Sequence, residues 1–165
     1  MPKAKELVIN TGPLLAITAA LGDLTVLQAL YSRVYVPFEV CEEIRAGGPE
    51  MFARIPFEKA HWLDKLSEPL EISSFLKNSL DQGESAVIQF ALNAGIETVC
   101  IDEATGRRIA RLSGLLVTGS IGILIRARKE GFPFSMRQAI ERMLAKGVWL
   151  SEGLIAFALR EAGEV

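Results

Sequence analysis

Short apolar runs alternate along the chain with longer stretches in which apolar positions recur every three or four residues. The first pattern fits buried strands, the second amphipathic helices. Residues 7–10 read as a strand. Helical patterning follows over 13–31, broken at Gly22-Asp23, where Asp23 is placed to cap a second helix. Residues 34–36 form a short strand stopped by Pro37, which suits the first turn of a helix running to about Ala46. Gly47-Gly48-Pro49 breaks the pattern, 50–70 read as mixed helix and loop, and 70–73 as a short edge strand. A helix over 81–93 is closed by Gly95. A strand over 97–101, a helix over 103–112 and a strand over 115–118 come next, then helices over 120–130, 135–146 and 151–162.

Wholly apolar strands separated by amphipathic helices imply a parallel sheet covered on both faces. The fold class expected is therefore α/β, three layers α/β/α around a central, mostly parallel sheet, in one domain over residues 1–165. Half the residues are hydrophobic and 23% are charged, which argues against disorder. No apolar stretch approaches the roughly 20 residues of a membrane span, and the N-terminus lacks the apolar run of a signal peptide. Cys41 and Cys100 sit inside apolar patterns without metal-like spacing, so buried free thiols and a cytoplasmic location are expected.

The net charge of −2 conceals an asymmetry: residues 1–103 carry a net −7 and residues 104–146 a net +7. An acidic part beside a basic one suits a metal site next to a phosphate-binding surface; helix faces that differ by chance give the same count.

In an open parallel sheet, ligands bind at the carboxyl ends of the strands. Three apolar runs here end in polar residues: Val8-Ile9-Asn10-Thr11, Val99-Cys100-Ile101-Asp102-Glu103 and Leu116-Val117-Thr118-Gly119-Ser120. Asn10 has two readings, a cap for the next helix or a residue lining a site. Glu84 shares a helical stripe with Val87, Ile88 and Ala91, so it points toward the core, where a carboxylate is costly without compensation. Glu42 and Glu43 lie in the helix after Pro37, and at least one of them should flank its apolar face of Val40, Cys41 and Ile44. Oxygen ligands gathered on one edge suit a hard cation such as Mg²⁺ or Mn²⁺. With one histidine and no paired cysteines, zinc and a Ser-His-Asp arrangement are disfavoured; the lone His61 reads as a packing or surface residue. No GxGxxG or GxxxxGK[ST] occurs.

Four stretches in order, Val-Ile-Asn-Thr-Gly-Pro-Leu-Leu (8–15), Val-Pro-Phe-Glu-Val-Cys-Glu-Glu-Ile (36–44), Leu-Asp-Gln-Gly-Glu-Ser-Ala-Val-Ile (80–88) and Ile-Asp-Glu-Ala-Thr-Gly-Arg-Arg-Ile-Ala (101–110), resemble the PIN-domain family. The likeness is to a branch whose first strand ends in Asn-Thr-Ser-Pro, and it extends over motifs in residues 6–133, with helices over 135–165 beyond. The resemblance implies a Mg²⁺- or Mn²⁺-dependent ribonuclease, of the kind found as VapC-type toxins of toxin–antitoxin pairs, with RNA as substrate and an antitoxin protein and a second copy of the chain as partners. It places Glu43, Glu84 and Asp102 as catalytic acids and adds Asn10 and Glu103 to the metal site. Thr11, Arg107, Arg108, Arg111 and Ser120 fall at substrate-facing positions, with Arg126, Arg128 and Lys129 extending a basic track for the RNA backbone. Asn10 stands where most members carry Asp, leaving the site one charge short, and Gly12 replaces the Ser of the branch. The alternative is a catalytically weak PIN-like module that binds RNA or a protein. A receiver-like domain is a third, disfavoured because it needs paired acids at the first strand.

Overall fold

The computed structural model describes residues 4–165, with the side chains of Ala4, Lys5 and residues 49–51 left aside. Leu7, Val8 and Ile9 are fully buried, as befits the middle of a covered parallel sheet, and they lie in β1 (Ala4–Ile9). α1 (Thr11–Leu21) ends at Gly22, whose φ of +87° permits the left-handed turn that closes a helix. Asp23 then accepts from the Thr25 N–H at 3.1 Å at the head of α2 (Thr25–Leu30). α2 runs straight into β2 (Tyr31–Val36), which begins earlier than the apolar pattern suggests because Ser32 and Arg33 are exposed strand residues.

α3 (Phe38–Arg45), a 3-10 turn over Gly48–Ala53 and α4 (Arg54–Lys59) lead to the edge strand β3 (Asp64–Lys65). The edge strand expected over 70–73 is not there. Its backbone is claimed by side chains instead: the Leu70 N–H donates to Glu39 at 2.9 Å and the Ser73 N–H to Gln89 at 3.0 Å. Ser73 caps a helix that periodicity alone did not reveal, α5 (Ser74–Ser79). The true edge is two charged residues long, and Asp64 is anchored by an ion pair to Arg33 at 3.1 Å. α6 (Gln82–Ala94) stops at Gly95, φ +68°. β4 (Thr98–Cys100), α7 (Ala104–Leu112), β5 (Leu116–Thr118), α8 (Ser120–Lys129), α9 (Met136–Ala145) and α10 (Glu152–Glu161) complete the chain close to their expected limits.

All strand pairs are parallel, in the order β3-β2-β1-β4-β5. From β1 the chain steps outward through β2 to β3, then returns to β1's other side for β4 and β5. The topological switch point is therefore between β1 and β4, where the Asn10 N–H donates to the Cys100 carbonyl at 3.1 Å. α6 packs on β1 and β4 and is flanked by α3, α5 and α7. α1, α8 and α9 pack on one another with α10 against α8 and α9, around a second apolar cluster that includes Ala20, Leu124, Met143 and Ala158. The result is a three-layer α/β/α fold. Cys41 and Cys100 are buried free thiols. Among the described residues, no helix is long and apolar enough to cross a membrane.

Candidate functional site

β1 ends at Ile9, so Asn10 falls at the carboxyl edge of the sheet beside β4. Only 9% of it is exposed, and its side chain makes no capping bond to α1. Its Oδ1 is buried without a donor. Asn10 thus stands at the N-cap position of α1 without its side chain capping the helix. The next residue is committed elsewhere: the Thr11 hydroxyl donates to Glu43 Oε1 at 2.9 Å, reaching from α1 to α3.

Two glycines make room for these acceptors. A Cβ at Gly83, in the first turn of α6, would lie 2.7 Å from Glu43 Oε1 and 3.0 Å from Asn10 Oδ1. A Cβ at Gly106, in α7, would lie 2.6 Å from Glu84 Oε2. Glu84 itself is 5% exposed and turned inward, as its helical stripe indicates, and Oε2 is a second buried oxygen without a donor. Asp102 follows β4 and accepts from the Ser120 N–H at 2.8 Å, at the N-terminus of α8. The Arg107 guanidinium lies alongside, donating to the Ile101 carbonyl at 2.8 Å; a Cβ at Gly119 would touch both Asp102 Oδ1 and Arg107 Nη1 at 2.7 Å.

The acids share an electrostatic signature. Burial pushes the Glu43 carboxyl up, opposed by the Thr11 hydroxyl and reinforced by the charge of Asp81. Burial and then Asp81 raise Glu84 to about 7, with Glu103 adding to the effect. Asp102 reaches solvent along one edge, yet the protein crowded around it raises its carboxyl, against the Ser120 hydrogen bonds and Arg107. None of the three belongs to an ion pair; those formed among the described residues are elsewhere. Asp81 is a neighbour that the motif analysis left out of the site. It caps α6 by accepting from the Glu84 N–H at 2.8 Å, and the Asp-x-x-Glu spacing of a capped helix was its visible signal.

Glu103 is exposed at the head of α7 and joins the cluster only through its charge. Among the described residues, no three His, Cys, Asp or Glu side chains group closely enough to cage a metal ion. The acids face one edge without forming a compact carboxylate cage. The donor set still fits a hard cation: Asn10 Oδ1 and Glu84 Oε2 are oxygens lacking any other partner. Mg²⁺ commonly takes one or two protein carboxylates and completes its shell with water and substrate phosphate.

The basic track divides. Arg107 is at the site, and Arg108 and Arg111 are exposed on the same helix. Arg126, Arg128 and Lys129 do not extend this surface, because α8 starts at the site and carries them to its far end. There Arg126 pairs with Glu130 and donates to the Leu30 carbonyl at 3.1 Å, at the amino end of β2. Arg128 binds Glu164, and Lys129 pairs with Glu161. Periodicity gives a helix's face but not which end meets the site.

Beside Asp102, Arg107 and Ser120 a cavity of about 700 Å³ opens, walled on its other side by Trp149, Leu154 and Phe157. Motif reading passed over these apolar side chains; a Trp two residues after Gly147 was the available signal.

A parallel α/β/α fold with unpaired acids at its switch point defines a class of nuclease-like domains. A family model described as PIN domain matches residues 6–164, and the chain belongs to the PIN-domain family. PIN domains generally use divalent metal ions. No curated protein matches the chain in sequence.

Proposed function

We propose that this protein is a divalent-cation-dependent ribonuclease. The observation that carries the reading is the cluster of acids at the switch point, Glu43, Glu84 and Asp102, none of which forms an ion pair among the described residues, together with the two orphaned buried oxygens of Asn10 and Glu84. Burying such groups is costly unless a cation compensates. Glu84, Asn10 and Glu43 would hold the ion, with Asp102 beside them. When bound, it supplies a more acidic water and offsets charge on the phosphodiester oxygens.

The chain's own residues define the rest of the chemistry. The Ser120 N–H fixes one oxygen of Asp102 in place. Arg107 is tethered to the Ile101 carbonyl through Nη1, leaving its other N–H groups for a phosphate. Thr11 orients Glu43 from across the site. A role as a toxin held by an antitoxin, or as a homodimer, is supported by family resemblance alone.

Asn10 favours a second reading, a weak nuclease that chiefly binds RNA, because an amide contributes no charge where an acid would. Cleavage of single-stranded RNA with Mg²⁺ or Mn²⁺, by the parent and by Asp102→Asn, separates the two. Metal-dependent cutting lost in the variant supports the nuclease. RNA binding without cutting in either protein leaves the binding module.

A further inference from the structure

Trp149 is 82% exposed, and Phe157 and Leu154 beside it are 44% and 37% exposed. Large apolar groups left open together mark a surface that binds something. Here they wall the same cavity as Asp102 and Arg107, so whatever occupies it reaches the candidate catalytic edge. Of the three charged residues lining it, two are cations, Arg107 on one wall and Lys146 on the other. Lys146 Nζ lies 5.1 Å from the centroid of the Phe52 ring, another residue of the lining.

Resting on the ribonuclease reading, we infer that this cavity is a nucleobase subsite in which an unpaired base of the RNA stacks on Trp149. Its flanking phosphates would lie between Arg107 and Lys146. A flat indole with cations beside it suits a planar, negatively charged ligand better than an apolar helix, which would leave both cations and Asp102 facing apolar groups. The cavity is in the size range that encloses a small ligand, about 300–1,000 Å³, and has room for a nucleotide. A paired base has both faces covered by its neighbours and cannot offer one to the indole. Gly12 and Gly147 also line the cavity, and a Cβ at either would meet no atom within 4 Å.

The test is a tryptophan-emission titration with an RNA hexanucleotide in EDTA, which removes the ion that cleavage needs. The same hexamer with an abasic position and the hexamer as a duplex serve as comparisons. The parent's emission should be quenched by the single strand. The Trp149→Ala protein should lose the quench while Trp62 still reports a folded chain, and its affinity should fall at least about fivefold. Trp149→Phe should retain most of the affinity. The proposal is overturned if Trp149→Ala binds the hexamer as the parent does, or if the duplex or abasic oligomer binds equally well. An indole blind to every oligonucleotide would assign the cavity to a protein partner instead. Cleavage of a long RNA with Mg²⁺ is followed in parallel. Cutting without any quench removes the subsite and leaves the nuclease; quench without cutting does the opposite.

Discussion

Gly83 shows how one residue can serve a site at the expense of its own helix. A glycine inside a helix costs about 1 kcal/mol relative to alanine. Here a Cβ would meet Glu43 Oε1 and Asn10 Oδ1. The atoms struck are side-chain ends, so Gly83→Ala should leave the thermal midpoint unchanged or slightly raised while divalent-ion binding is lost. Calorimetric titration beside a melting curve shows whether the two separate. Glu84 sets a second expectation, in pH. Its folded pKa of about 7 exceeds the unfolded carboxyl value of 4.5, so between those values the folded protein binds more protons. Metal-free stability should then fall as pH rises from about 4.5 through 7. Glu84→Gln should flatten that fall and melt above the parent at pH 8, and identical pH profiles for the two proteins would contradict it. At this scale the sequence is informative where a residue contrasts with its own segment: a polar residue ending an apolar strand, a carboxylate within an apolar stripe. It is silent about Gly83, Gly106 and Gly119, whose reason for being small sits on other segments.

Among the elements, α9 is tied to the chain's end. Glu164 accepts from the N–H groups of Met136 and Arg137, at 2.6 and 3.1 Å, from the Ser135 hydroxyl, and from Arg128. Burial alone would raise this carboxyl, but those donors outweigh it and hold it at about 2. A folded pKa below 4.5 gives stability that is full above 4.5 and lost as pH falls toward 2. Glu164→Gln should lower the melting temperature by several degrees at pH 7 and by little at pH 2, a loss of about 1–3 kcal/mol at neutral pH. The long elements were legible because their stripes repeat over several turns. β3 and α5 were not: a two-residue edge strand has no pattern, and a six-residue helix is fixed by a cap and by neighbours. The far end of α8 was misread for a related reason, since Arg126, Arg128 and Lys129 count as basic in sequence whatever they face.

Over the whole molecule, the acidic first part and basic later part do meet at the sheet's carboxyl edge, through Glu43, Glu84 and Asp102 on one side and Arg107 on the other. Much of the later positive charge is spent internally, however. RNA affinity should therefore fall with salt at a log–log slope of only about −2 to −3, as expected for three or four phosphates on a single strand. A slope near zero, measured from 50 to 200 mM salt, would remove the phosphate contacts.

The acids at the switch point need a cation that the protein does not supply, and thermal unfolding against added Mg²⁺ or Mn²⁺ tests this most directly. An ion at about 100 times its Kd adds about 2.7 kcal/mol, or roughly 5–10 °C for a chain of this length. The parent should show that rise. Asn10→Asp should reach it at about tenfold lower ion concentration or less, having gained the missing charge, and Asp102→Asn should need more. If all three melt at the same temperature with and without millimolar ion, the acids hold no metal and the account is wrong.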